Sequence, residues 1–231
     1  MTKLTKKKKL LMEILNPENT YSLEEAINIF QQVKSSKFDE SIDIALRLGV
    51  DPGKSDQNVR GAITLPHSLG KKVTVAVFAD GGQAKEASDA GADFVGMEDL
   101  SEKFKKEEIE VDVVISSQAA MKIVGQLGQV LGPKGLMPNP KTGTVTEKVG
   151  EAINNAKSGQ VRFRTDKNGI LHGCIGKVSF SSNQIQENAA AMLEEVKKLK
   201  PATAKGAYIQ SVALSSTMGP GVKVAPASLV V

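Results

Sequence analysis

The sequence predicts a mixed fold: an α+β unit assembled from both ends of the chain, with a parallel α/β unit inserted in its middle. Three observations carry this. In the outer segments apolar residues alternate with polar ones, as in Ile42, Ile44, Leu46 and Leu48, the pattern of strands with one face on a core. Val73 to Ala79 is instead a continuous apolar run, the mark of a strand covered on both faces. Strand-length and helix-length segments then succeed one another up to Leu127, the order of a parallel sheet with crossover helices. The boundaries fall at Pro66-His67 and Ser158-Gly159. They make 1–66 with 159–231 one discontinuous domain and 67–158 the insertion, and the two crossings of chain between them could hinge.

In chain order, a helix is expected at Lys6 to Leu15, stopped by Pro17. A second begins at Ser22, where Ser22 and Glu25 have capping-box spacing and Leu23, Ala26, Ile27, Phe30 and Val33 follow at helical intervals. A strand over 42–48 turns at Asp51-Pro52-Gly53-Lys54 into a second strand over Asn58 to Leu65. In the middle, the apolar strand leads to helices near Gln83 to Ala90, Asp99 to Lys106 and Gln118 to Leu127. These alternate with strands at Asp93 to Val95 and Asp112 to Ile115. Beyond Gly159, strands over Gln160 to Thr165 and Ile170 to Phe180 flank Asn168-Gly169, a strong hairpin signal. Ser181 and Gln184 form a second capping box, opening a helix with the stripe Ile185, Ala189, Met192, Val196 and Leu199. It ends at Lys197-Lys198-Leu199-Lys200-Pro201, with cations at the negative end of the dipole. A last strand covers Ala207 to Leu214, and 225–231 reads as a loose tail.

Composition narrows the function. With 40% apolar residues the chain can bury a core, while 4% aromatic and no Trp leave little surface for base stacking. One cysteine excludes an internal disulfide framework. The apolar stretch after Lys6–Lys9 is too short and too charged for a signal peptide, and no run reaches the ~20 apolar residues that span a bilayer. A cytoplasmic protein without membrane contact is expected. Charge is uneven: residues 1–66 carry +1, 67–158 carry −2 and 159–231 carry +5, which points to polyanion binding by the ends.

Candidates for catalysis are few. His172 and Cys174 share a strand face, but no third group orients them, so they read as a packed thiol beside an ordinary histidine and not as a catalytic pair. One Cys and two distant His make no zinc site. Neither Asp80-Gly81-Gly82 nor the Gly125–Gly143 segment, with Lys134 and Lys141, has phosphate-loop spacing. No cofactor is expected, and a nucleotide-dependent enzyme built on the middle domain is the rival reading. For polyanions the ends offer more. Arg162 and Arg164 project from one strand face, Phe38 stands at a helix-to-strand junction, and Ser211, Ala213, Ser215 and Thr217 make a small, hydroxylated face. That face runs into Met218-Gly219-Pro220-Gly221, an apolar thioether beside open backbone.

Several stretches resemble the bacterial ribosomal protein L-one family. They are Lys37-Phe38-Asp39-Glu40, Asp51-Pro52, Ser55 to Gly61, Leu65-Pro66-His67, Ala90 to Asp93, Leu131 to Pro140 and Thr217-Met218-Gly219-Pro220. The resemblance implies a discontinuous two-layer α+β domain with an inserted three-layer Rossmann-like domain. It implies binding of large-subunit ribosomal RNA in a mobile stalk, contact with exit-site transfer RNA, and repression of the protein's own operon through its mRNA. It puts Phe38, Thr217, Met218 and Gly219 at the ribosomal RNA contact, with Lys37, Glu40, Arg164, Lys167 and Ser211 nearby. A protein monomeric off the ribosome is expected, with folding bringing Phe38 and Arg164 together beside the Ser216–Gly221 run. A regulator acting only off the ribosome remains an alternative.

Overall fold

A computed structural model describes residues 14–16, 19–33, 36–106 and 108–226. The helix expected at Lys6 to Leu15 lies outside these residues except for Ile14 and Leu15, as do its Pro17 stop and the tail beyond 226. The elements are α1 (Leu23–Val33), β1 (Ser41–Leu48), β2 (Arg60–Thr64), β3 (Val75–Phe78), α2 (Gly81–Asp89), β4 (Phe94–Gly96), α3 (Glu98–Lys105), β5 (Val113–Ser116), α4 (Met121–Gln126), α5 (Gly128–Leu131), α6 (Val149–Lys157), β6 (Gln160–Arg164), β7 (Ile170–Lys177), α7 (Ser182–Lys198), β8 (Ile209–Ser216) and β9 (Gly221–Val224). The protein is thus mixed α/β with several sheets. It divides into two compact units, 1–69 with 161–231, and 70–160.

In the terminal unit an antiparallel sheet runs in the order β7-β1-β8-β9. Its inward residues, among them Ile42, Ile44, Leu46, Leu171, Ile175, Val212, Leu214 and Val222, pack on Ile27 and Phe30 of α1 and Ile185, Ala189, Met192 and Val196 of α7. Both helices start where the capping boxes put them. Ser22 N donates to Glu25 Oε2 (2.8 Å) while Glu25 N donates to Ser22 Oγ (3.3 Å), and Ser181 with Gln184 repeats the exchange. The outer edge of β9 is covered by Tyr21, whose N donates to Lys223 O (2.9 Å).

One expectation fails in an informative way. The Asn168-Gly169 turn forms, with Gly169 at φ +74°, but its flanking strands do not pair along their length. β6 belongs with β2 in a separate two-stranded sheet and β7 pairs with β1, the pair β6–β7 being joined only through a bridge at Thr165↔Leu171. A tight turn fixes the local reversal; which neighbour each strand takes is decided by burial. β7 also stops at Lys177, before Phe180. Besides the short α5, α6 and β9 have no counterpart in the sequence reading, although Val149, Ile153 and Ala156 in the one and Val222 and Val224 in the other show the right period.

In the middle unit a parallel sheet has the order β4-β3-β5. Alternation along β3 divides its contacts: Val75 and Val77 meet Ala87 of α2 and Val149, Ile153 and Ala156 of α6. Ala76 and Phe78 meet Leu100 and Phe104 of α3, Val124 of α4 and Leu131 of α5. With both faces covered, the strand has to be apolar throughout. The expected single helix over Gln118 to Leu127 is shorter, with a break at Leu127 and a second short helix after it. Among the described residues no helix is long and apolar enough to cross a membrane.

Candidate nucleic-acid interface

The Ser216–Gly221 run is the hairpin connection between β8 and β9, with Ser215 opposite Gly221. It lies against the segment that leads into β1. Thr217 N donates to Ser41 O (3.1 Å), and Ser41 N donates to Thr217 Oγ1 (3.0 Å). Segments 176 residues apart in sequence are thereby clasped at one end of the sheet. Two large apolar side chains are exposed there, Phe38 at 52% and Met218 at 56%. Lys37, Asp39 and Thr217 are exposed as well. Beneath them Glu40 is buried, at 2% exposure. Ser36 Oγ donates to Glu40 Oε1 (2.6 Å), and Ser216 Oγ (2.6 Å) and Met218 N (3.3 Å) donate to Oε2. Of the residues expected around the contact, Glu40 is therefore below the surface rather than on it. Ser36, which sequence reading missed, carries no local pattern that would single it out.

From this end a flat outer face extends along the sheet. Since Val212, Leu214 and Ser216 point inward, Ser211, Ala213 and Ser215 point outward, beside Arg47, Ala45 and Asp43 of β1 in register. His172 of β7 and Lys223 of β9 flank the Ala45–Ala213 pair. The middle of the face is small and partly hydroxylated, and its margins carry cations. Arg47 was legible as the outward member of the β1 alternation; Lys223 was not, because β9 was missed.

Arg164 and Lys167 are elsewhere. Leu48 N donates to Gly169 O (3.0 Å), so the 166–169 turn sits at the opposite end of β1 from Ser41. Seven residues of strand at about 3.3 Å each separate the two ends by roughly 23 Å. The expectation that folding brings Arg164 beside Phe38 and Met218 is thus corrected. β6 crosses to pair with β2, which carries Arg164 to the far end, where Pro52, Asn58, Arg164, Thr165, Asp166 and Lys167 line a cleft of about 400 Å³. The turn is held by Asp166, whose Oδ1 accepts from Ile170 N and Asn168 N (both 2.8 Å). These amide bonds, the one from Ile170 first, hold its carboxyl below the usual value. Ser211, level with Arg47, belongs to the same half of the face.

His172 and Cys174 both point to the outer face but meet different partners. His172 Nε2 lies 3.8 Å from Asp166 Oδ2, while Cys174 is opposite Asp43 and its Sγ donates to Gly176 O (3.6 Å). Burial, and then the neighbouring Asp43 carboxylate, push the Cys174 thiol above its ordinary value. Because the thiolate is the nucleophile, Cys174 should alkylate with iodoacetamide at pH 8 several-fold more slowly than a free cysteine peptide. Asp43→Asn should speed it; an equal rate in both proteins would contradict this account.

In the middle unit the Gly125–Gly143 segment begins in the end of α4 and in α5 and continues as a loop closed by local bonds: Lys141 N donates to Asn139 Oδ1 (2.9 Å) and Asn139 N to Thr144 Oγ1 (2.8 Å). Pro138 is buried and Leu136 packs on the core. Among the described residues no cluster of His, Cys, Asp or Glu could hold a metal ion.

Residues 30–220 match the model of the ribosomal protein L1p/L10e family. The chain is similar to the large ribosomal subunit protein uL1 of Pasteurella multocida, 57% identical over 229 residues that cover 99% of this chain and 100% of that protein. The uL1 protein of Haemophilus influenzae is likewise 57% identical, with the same coverage. That of Pseudoalteromonas atlantica is 56% identical over 229 residues, 99% of this chain and 98% of the relative.

Proposed function

Because the chain belongs to the ribosomal protein L1p/L10e family, we propose that its terminal unit grips large-subunit ribosomal RNA through the Phe38–Met218 end and the outer sheet face. The protein is a structural component of the ribosome and not an enzyme, and it works in the cytoplasm on the large subunit. The observation that carries the RNA reading is the pair of exposed apolar side chains, Phe38 and Met218, on two clasped loops beside a small hydroxylated face. An exposed ring and thioether can lie against a base or ribose, and small residues let a sugar-phosphate backbone come close enough to hydrogen-bond. Arg47 and Lys223 at the margins supply charge for phosphates.

In this reading the two compact units act as separate domains, a discontinuous α+β domain for RNA and an inserted Rossmann-like one. Arg164 and Lys167, at the far end of β1, engage a different stretch of RNA from Phe38. The assembled stalk meets exit-site transfer RNA and assists its release. The same RNA-gripping surface binds the leader of the protein's own operon mRNA as a mimic and represses it.

Filter binding to a fragment of large-subunit ribosomal RNA tests the core of this. Phe38→Ala and Met218→Ala should each weaken binding by about 1–3 kcal/mol, the scale of losing one stacked side chain. Melting temperature should hardly move, because substitutions of exposed residues usually fall within about 0.5 kcal/mol. Unchanged affinity in both variants would refute the reading. Thr217→Ala is less clean, since its hydroxyl accepts from Ser41 N. Co-sedimentation with large subunits at moderate salt separates a stalk component from a regulator that acts only off the ribosome.

A further inference from the structure

We propose that Glu40 is a positioning residue for RNA binding: its buried carboxylate locks the Phe38 loop to the Met218 hairpin and so holds both exposed side chains ready for the ligand. The inference rests on the reading that Phe38 and Met218 touch RNA. Three donors converge on the carboxylate, Ser36 Oγ on one oxygen and Ser216 Oγ with Met218 N on the other. The two hydroxyl contacts are 2.6 Å long, in the range of charge-assisted bonds. The backbone of Glu40 is fixed as well, its carbonyl accepting from Val178 N (2.9 Å), just past β7.

Each contact leads to one of the two exposed side chains. Ser36 Oγ also lies 3.1 Å from Phe38 O, so the hydroxyl that binds Glu40 borders the Phe38 carbonyl. On the other side, Glu40 takes the amide hydrogen of Met218 itself. A side chain more than half exposed has few packing contacts to hold its direction, and its backbone must do so. The two loops are far apart in sequence, so without a shared anchor each would have to be ordered by the RNA. Ordering rotamer-rich groups on binding lowers affinity, and a preformed loop avoids that cost.

The test uses the full chain and a labelled fragment of large-subunit ribosomal RNA. Glu40→Ala and Glu40→Gln are made in the wild-type background and in a Phe38→Ala/Met218→Ala background, with Kd and melting temperature measured for each. In the wild-type background Glu40→Ala should raise Kd about tenfold to a hundredfold. In the background lacking both side chains the same change should raise it less than about twofold, because a residue that acts through others has nothing left to act through. The shift in melting temperature should be the same in both backgrounds. Glu40→Gln should recover most of the affinity: its amide oxygen can accept from Ser216 and Met218, and its amide nitrogen can donate to Ser36 Oγ.

Equal loss of affinity in both backgrounds, or no loss in either, would overturn the proposal. Should the Phe38→Ala/Met218→Ala protein bind as tightly as wild type, the RNA reading of this end fails. Amide relaxation then decides on Glu40 alone. In Glu40→Ala the Met218 amide should fall from an order parameter near 0.85 to below about 0.6, and an unchanged value would refute the anchor. If Glu40→Ala does not fold, Ser36→Ala removes one of these donors at a half-buried position. It should then show a smaller loss of the same kind, absent in the double-variant background, and equal losses in the two backgrounds would count against the proposal.

Discussion

Gly219→Ala is expected to lower both stability and RNA affinity, although it adds one methyl group at the surface. A Cβ on Gly219 would fall well inside the contact distance of Ser216 Oγ. That hydroxyl cannot step aside freely, because it donates to buried Glu40 at 2.6 Å. Rotating Ser216 breaks this bond and leaves a buried carboxylate oxygen short of a donor, a loss of about 2 kcal/mol on the scale for bonds to charged groups. For a protein of this size that lowers the melting temperature by roughly 4–8 °C. Gly219 N, which donates to Ser216 O (3.1 Å), would be displaced along with it, moving the Met218 backbone. Thermal denaturation and filter binding check both effects. Adding Ser216→Ala removes the clash but not the lost bond, so it should restore only part of the stability. A melting temperature within 1 °C of wild type for Gly219→Ala alone would contradict the argument.

Asn188→Leu should have the largest effect on stability alone. Asn188 is fully buried on α7, in the same stripe as Ile185 and Met192, yet its side chain is polar. Its Oδ1 accepts from His67 N (3.0 Å), and its Nδ2 donates to His67 O (3.0 Å) and Ile175 O (2.8 Å). One side chain thus fixes the crossing segment at His67 to both α7 and β7. Leucine has nearly the same volume but satisfies none of the three backbone groups. At about 1 kcal/mol or more for each, the loss is roughly 3–4 kcal/mol and the melting temperature drops by ~10 °C. RNA affinity measured well below that temperature should stay near wild type, since Asn188 lies under the sheet and not at the Phe38–Met218 end. A loss of under 1 kcal/mol would mean that water or a rearranged backbone replaces the amide.

Much of the fold was legible because it is written in local periods. The two capping boxes placed the starts of α1 and α7, and the alternation in β1 gave its buried face residue by residue. The unbroken apolar run of β3 announced a strand covered on both sides. What failed was mostly partnership. Asn168-Gly169 predicts a reversal and not a ladder, so the pairing of β6 with β2 had no local signature.

The candidate site divides along the same line. Phe38 and Met218 were singled out from residue type and context, and both are exposed. Glu40 was expected near the RNA, but no pattern around it says that it is buried, nor that Ser36 and Ser216 reach it from opposite ends of the chain. By itself the sequence determined the element types, the inward faces and the family, since these depend on neighbours within about a dozen residues or on long motifs. Only the tertiary structure decided that Arg164 stands at the far end of the sheet from Met218, and that Glu40 joins the Phe38 segment to the Met218 hairpin. Those facts depend on which strands pair across more than a hundred residues, a choice made by burying apolar faces jointly and not by any segment alone.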